Sequence, residues 1–170
     1  MGYTHYWRSS RPFTQTEWKT ITAEASRIIA KAIRGDYYSG KEDFSSATKC
    51  EIDEMGFRHG FNEEYAWRTF PHPEKAIPMQ GAAIHLAGPS GEAGTKPIVN
   101  ENEIALNGLS PEDYESFVLS RTPEAFDFCK TEYRPYDAVC VSILHVARTV
   151  APDAINVTSD GGDGAIKLLF

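Results

Sequence analysis

The stretch from Ala138 to Val150, "AVCVSILHVARTV", constrains the fold more than any other part of the chain. It is apolar nearly all round, so as a helix it has to be buried on most of its sides. Its ends are marked. Pro135 suits a first helical turn, where its missing N–H would be an orphan anyway, and Asp137 sits where the helix dipole favours a carboxylate. Pro152 lies just past the other end.

A second helix has the opposite character. Thr14 and Glu17 have the spacing in which each side chain satisfies an orphan amide of the first turn. Trp18, Ile21, Ala25, Ile28 and Ala32 then recur at intervals of three and four, one apolar stripe, and Gly35 is placed to stop the helix. The opening "MGYTHYWR" reads as a strand whose Tyr3, His5 and Trp7 point one way and Thr4, Tyr6 and Arg8 the other. Rings on both sides mean that both faces are covered by protein, or that one face lines a cleft for a flat ligand.

The region 36–102 is rich in turn chemistry. "TFPHPEKAIP" holds three prolines, and "AGPSGEAGTKP" has the composition of a flexible loop. It reads as a long loop-rich insert on a core fold. Beyond it, Ile104–Leu106 and Phe117–Leu119 flank a turn region with Asn107-Gly108 and Ser110-Pro111, as in a hairpin or short loop. "FDFCK" fits a further strand or an ordered loop, and "AINVTSDGGDG" a strand entering an acidic glycine turn. The expected fold is α+β: one domain over 1–170, with a small, mostly antiparallel sheet packed by two main helices.

Seventeen basic against twenty-four acidic residues leave a net charge of −7. That speaks against a broad footprint on a nucleic acid polymer, which needs a basic stripe, but not against a local seat for one small anion. No run of eighteen apolar residues is present and the N-terminus lacks a signal-peptide layout, so no membrane partner and a cytoplasmic location are expected. Cys50, Cys129 and Cys140 lack metal or disulfide spacing and read as reduced thiols.

Chemistry-bearing residues crowd "FCKTEYRPYD". Lys130 and Arg134 flank a helix start, whose free amides favour an anion, with Tyr136 and Asp137 beside them. The alternative is structural: Asp137 as a helix-start residue, Tyr136 packed, both cations solvated. Cys129 near that start suggests a nucleophile, yet none of His5, His59, His72, His85 or His145 is tied to it by spacing. Asp160 and Asp163, or His59, Glu63 and Glu64, lack any metal-loop pattern, so neither a metal nor a cofactor is expected. Ser159 and Asp160 can hydrogen-bond a ribose or a base edge if they border the same cleft.

The segments "MGYTHYW", "NG" with "YESF", "FCKTEYRPYD" and "VTSDG" resemble a widespread group of small bacterial and bacteriophage proteins of largely unassigned function. The match covers residues 1–8, 104–108, 114–117, 128–137 and 158–161. Tyr114 stands where that group usually has His, and Leu106 where it usually has Phe. The resemblance implies, by association, a role in the conflict between virus and host defence.

These features predict a binding protein with a pocket for a nucleotide-derived anion, formed by Tyr3, His5, Trp7, Lys130, Arg134, Tyr136, Asp137, Ser159 and Asp160. Sequestration of a host immune signalling nucleotide and homo-oligomer formation are further expectations. The alternatives are a hydrolase or phosphodiesterase acting on such a nucleotide through Glu115, His5 or Cys129, and an inhibitor that binds a host protein through the insert.

Overall fold

Thr14 opens helix α1 (Gln15–Arg34) with a complete capping box: its hydroxyl accepts from the Glu17 amide, and the Glu17 carboxylate accepts from the Thr14 amide at 2.8 Å. The predicted stripe of Trp18, Ile21, Ala25, Ile28 and Ala32 is buried, joined by Ile29. Gly35 ends the helix at φ 71°, a left-handed conformation that a residue without Cβ adopts at low cost. The structure, a computed structural model, describes residues 3–35, 83–162, 165, 166, 168 and 170.

Helix α2 (Asp137–Val150) is buried at every position from Asp137 to Leu144 and again at Val146 and Ala147, as its apolar circumference requires. It packs against α1 and against the sheet. Pro135 stands just before the cap residue Tyr136 rather than inside the first turn.

The first sheet has three antiparallel strands in the order β6 (Phe126–Lys130), β1 (Thr4–Ser9), β7 (Ile155–Ser159). The chain's opening strand is therefore central. Trp7, Cys129, Ile155 and Val157 face the helices and share one core with them. In the second sheet β4 (Glu103–Gly108) pairs with β2 (Leu86–Ala87), β3 (Ile98–Val99) and β5 (Phe117–Ser120), all antiparallel. Two helices against antiparallel sheets make the expected α+β fold.

The extent of the insert changes in detail. The last part of the region 36–102 belongs to the sheet: β2 and β3 both pair with β4, and the residues between them form hydrogen-bonded turns. In these the Gly88 amide donates to the Thr95 hydroxyl and the Thr95 hydroxyl to the Glu92 carbonyl. Residues 36–82 lie outside the described residues. The Asn107-Gly108 pair ends β4, and residues 109–116 form the short loop of the expected hairpin between β4 and β5. Asn107 is buried, and its side chain binds the amide and the carbonyl of Tyr114 and the carbonyl of Pro89, so it organises the loop that follows. A Cβ on Gly108 would lie 2.3 Å from the Glu112 carbonyl oxygen, which only glycine avoids.

The joint between β1 and α1 is clamped. Arg11 donates to both carboxylate oxygens of Glu17 and to Asp153, which follows α2. This hydrogen bonding from Arg11, aided by the Thr14 amide, lowers the Glu17 carboxyl to about 2. A depressed carboxyl favours the folded state above its ordinary value of 4.5, and that contribution disappears as pH falls toward about 2. Arg11→Ala should therefore be less stable than the parent at pH 7, with the gap in urea midpoint closing through this acid range. A gap independent of pH would refute the clamp.

Candidate functional site

Alternation along β1 gives the sheet two faces of different chemistry. On the inner face His5 lies opposite Cys129 on β6 and Ser159 on β7, and Trp7 lies opposite Asp127 and Val157. His5 and Trp7 are almost completely buried, 0% and 1% exposed. The imidazole Nε2 of His5 is 2.6 Å from the Asp137 carboxylate, so with that carboxylate ionised Nε2 carries the hydrogen and donates it. The Thr131 hydroxyl donates to the same carboxylate oxygen. Thr131 is itself fastened to β1, its amide donating to the Tyr3 carbonyl at 3.0 Å. The buried charge of Asp137 is thus satisfied by two hydrogen bonds from two separate segments.

A carboxylate holding an imidazole is also how general bases are oriented. Here His5 is closed to solvent, and its Nδ1 is buried with no hydrogen-bond partner among the described residues. The neighbouring Ser159 hydroxyl accepts from the Gly161 amide. The Cys129 thiol points at the Glu115 carbonyl, 3.6 Å away, which also accepts from the Tyr136 hydroxyl at 2.7 Å. Burial pushes the Tyr136 hydroxyl and the Cys140 thiol above their ordinary values. The inner cluster ties elements together.

The start of α2 offers no seat for an outside anion. Its first amides are already engaged: Asp137 donates to Arg134, Val139 and Cys140 to Tyr136. Arg134 is half-buried at this turn, and Lys130 points to the other side of the sheet. Tyr3 stacks on Tyr133 with centroids 4.4 Å apart and meets His5 edge-on at 5.0 Å. Of the nine residues expected to share a cavity, His5 and Asp137 touch, Tyr3 and Ser159 border them, and Trp7 and Tyr136 belong to the core. Lys130 and Asp160 stand on the outer face. Asp163, His59, Glu63 and Glu64 lie outside the described residues, among which no three His, Cys, Asp or Glu side chains are grouped to hold a metal ion.

The outer face is a grid of three rows read across β6, β1 and β7. Phe126, Arg8 and Asn156 form one row; Phe128, Tyr6 and Thr158 the next. Lys130 and Thr4 begin the third, completed by Asp160, whose amide donates to the Thr4 carbonyl and whose carboxylate accepts from the Thr4 amide. Phe126 and Phe128 are 44% and 48% exposed, rare values for phenylalanine. Their rings lie 6.3 Å apart at 32°, and Tyr6 lies 6.3 Å from Phe126 at 18°, so the three offer similarly inclined faces. The Arg8 guanidinium is 4.9 Å from the Phe126 ring centre.

The grid therefore has a ring column on β6, a column of exposed hydrogen-bonding side chains from β7 and the residue after it (Asn156, Thr158 and Asp160), and a cation at one end. At the opposite end the Lys130 ammonium lies 5.2 Å from the Tyr114 ring centre. Tyr114, then Glu132 and Glu115, hold it above the ordinary lysine range. An open groove of about 450 Å³ lies between α1 and the β3–β4 turn. Its one ring, Trp18, is 3% exposed and gives its N–H to the Asn100 carbonyl, which leaves little for a flat ligand. The sequence does not single out Arg8, Phe126, Phe128, Asn156 or Thr158 as site residues, although the alternation along "THYWR" on β1 is the available signal for the outer face.

No protein-family model, no curated protein and no solved structure matches the chain. The inner cluster, as a strut, makes a direct prediction. Asp137→Ala leaves His5 and Thr131 without their acceptor and should cost about 3–5 kcal/mol in urea denaturation. A loss below about 1 kcal/mol would refute the strut.

Proposed function

We propose that the protein binds a flat, anionic ligand of the nucleotide class on the outer face of the β6–β1–β7 sheet. The observation that carries this reading is the pair of half-exposed rings, Phe126 and Phe128, levelled with Tyr6 beside the exposed guanidinium of Arg8. Rings of this kind cost solvation on a free surface and gain it back when a base stacks on them. Arg8 supplies a planar fork for a phosphate.

The binding is to a discrete ligand. A net charge of −7, and among the described residues only Arg8 and the acid-flanked Lys130 as cations on this face, disfavour a long phosphate backbone. Retention without chemistry is the favoured mode, because His5, the imidazole held by a carboxylate, is on the opposite face and closed to solvent. Such retention is compatible with sequestration of a signalling nucleotide.

Titration calorimetry with nucleoside monophosphates tests the reading. Phe128→Ala should weaken binding by about 1–3 kcal/mol, the usual worth of one stacked base. Arg8→Ala should weaken it by about 1.5–3 kcal/mol and flatten its dependence on salt. Ligand released by heat should be chemically intact; new products would make the protein an enzyme instead. Absence of binding to any nucleotide at millimolar concentration overturns the proposal.

A further inference from the structure

We infer that this face is selective for a base that carries an exocyclic amino group, and that Asp160 is the residue that reads it; the inference rests on the nucleotide reading above. The charges on the grid are laid out unsymmetrically. Arg8 marks the row of Asn156, and Asp160, the first residue after β7, stands four residues further along the chain and pairs with Thr4. At strand spacing that is about 13 Å between Cα levels. With the two side chains turned inward, the gap matches the reach from phosphate to outer base edge in a nucleoside monophosphate. The middle row, Phe128 and Tyr6, then lies under the base.

The orientation follows from charge. A phosphate belongs beside Arg8 and is repelled by the Asp160 carboxylate at the far end, where the charge of Lys130 is answered by Glu132 and Glu115. What a carboxylate accepts is a hydrogen. Asp160 is exposed, and its backbone amide is fixed to the Thr4 carbonyl. One oxygen, Oδ2, takes the Thr4 amide at 3.0 Å, and the exposed carboxylate accepts no other hydrogen bond among the described residues, which leaves it lone pairs for an amino group. A base with a carbonyl oxygen in that place would set acceptor against acceptor. Thr158, between the two charged rows, has a hydroxyl that can donate or accept and so does not discriminate.

The test uses adenosine and inosine 5′-monophosphate, which differ at one position, amino against oxo. The parent protein should bind the adenosine compound about ten- to a hundredfold more tightly, the worth of one charge-assisted hydrogen bond. Asp160→Asn, whose amide can still accept from Thr4 through its oxygen, should bring the ratio close to one, with circular dichroism and melting unchanged. Asp160→Ser should do the same with an unrelated side chain.

Equal affinity of the parent for both compounds overturns the inference and leaves nucleotide binding standing. A ratio that survives both substitutions overturns the role of Asp160. Failure of both compounds to bind overturns the inference together with the reading beneath it.

Discussion

The hydrogen bond from His5 to Asp137 decides which way the sheet faces. It joins the central strand to the first residue of the helix that is most deeply buried, across 132 residues of chain. Side chains alternate along a strand, so a slip of one residue would exchange the faces wholesale. With His5 held under α2, Trp7 must also point inward and Tyr6 and Arg8 outward. The Thr131 hydroxyl completes the tie by bringing the end of β6 to the same carboxylate. Everything exposed on the outer face is a consequence of what is fixed on the inner one.

The two sheets also depend on a short polar joint. The Glu115 amide donates to the Lys130 carbonyl, and the Glu115 carboxylate accepts from the Lys130 amide at 2.8 Å. The free edge of β6 is therefore bonded to the loop that enters β5, and an unpaired row of amides is avoided there. Asn107 shapes that loop from the other side through its bonds to Tyr114. Glu115 thus works by its backbone and carboxylate together as a connector between the two sheets.

What the sequence made legible was local. The capping box at Thr14 and Glu17, the stripe of α1 and the stop at Gly35 are set by neighbours within a few residues, and each stands where the spacing places it. The alternation of β1 was equally plain. Hidden was which of its faces the helices would cover, because that depends on pairings of β1 with strands more than a hundred residues away. Nothing local in the sequence says that His5 and Asp137 are each other's partner. Asn107-Gly108 marks the turn region of the β4–β5 hairpin in the sequence, but only the contact with Glu112 shows that the glycine is needed for close approach.

The same comparison explains why the helix start and the ring face changed places as candidates. An anion is drawn to a helix N-terminus when its amides are free and water reaches them. In α2 the preceding turn from Arg134 to Tyr136 supplies carbonyls to those amides, and the chain's own Asp137 brings the negative charge indoors. Lys130 and Arg134 are then left without an anion to share. On the sheet the balance runs the other way. Phe126 and Phe128 have no protein over nearly half of their surface, and Arg8 leans on a ring that leaves its hydrogen-bonding edge open. A binding face is more economically identified by what the fold leaves unsatisfied than by which residues are chemically versatile, and by that measure the outer face of the first strand outranks its inner one.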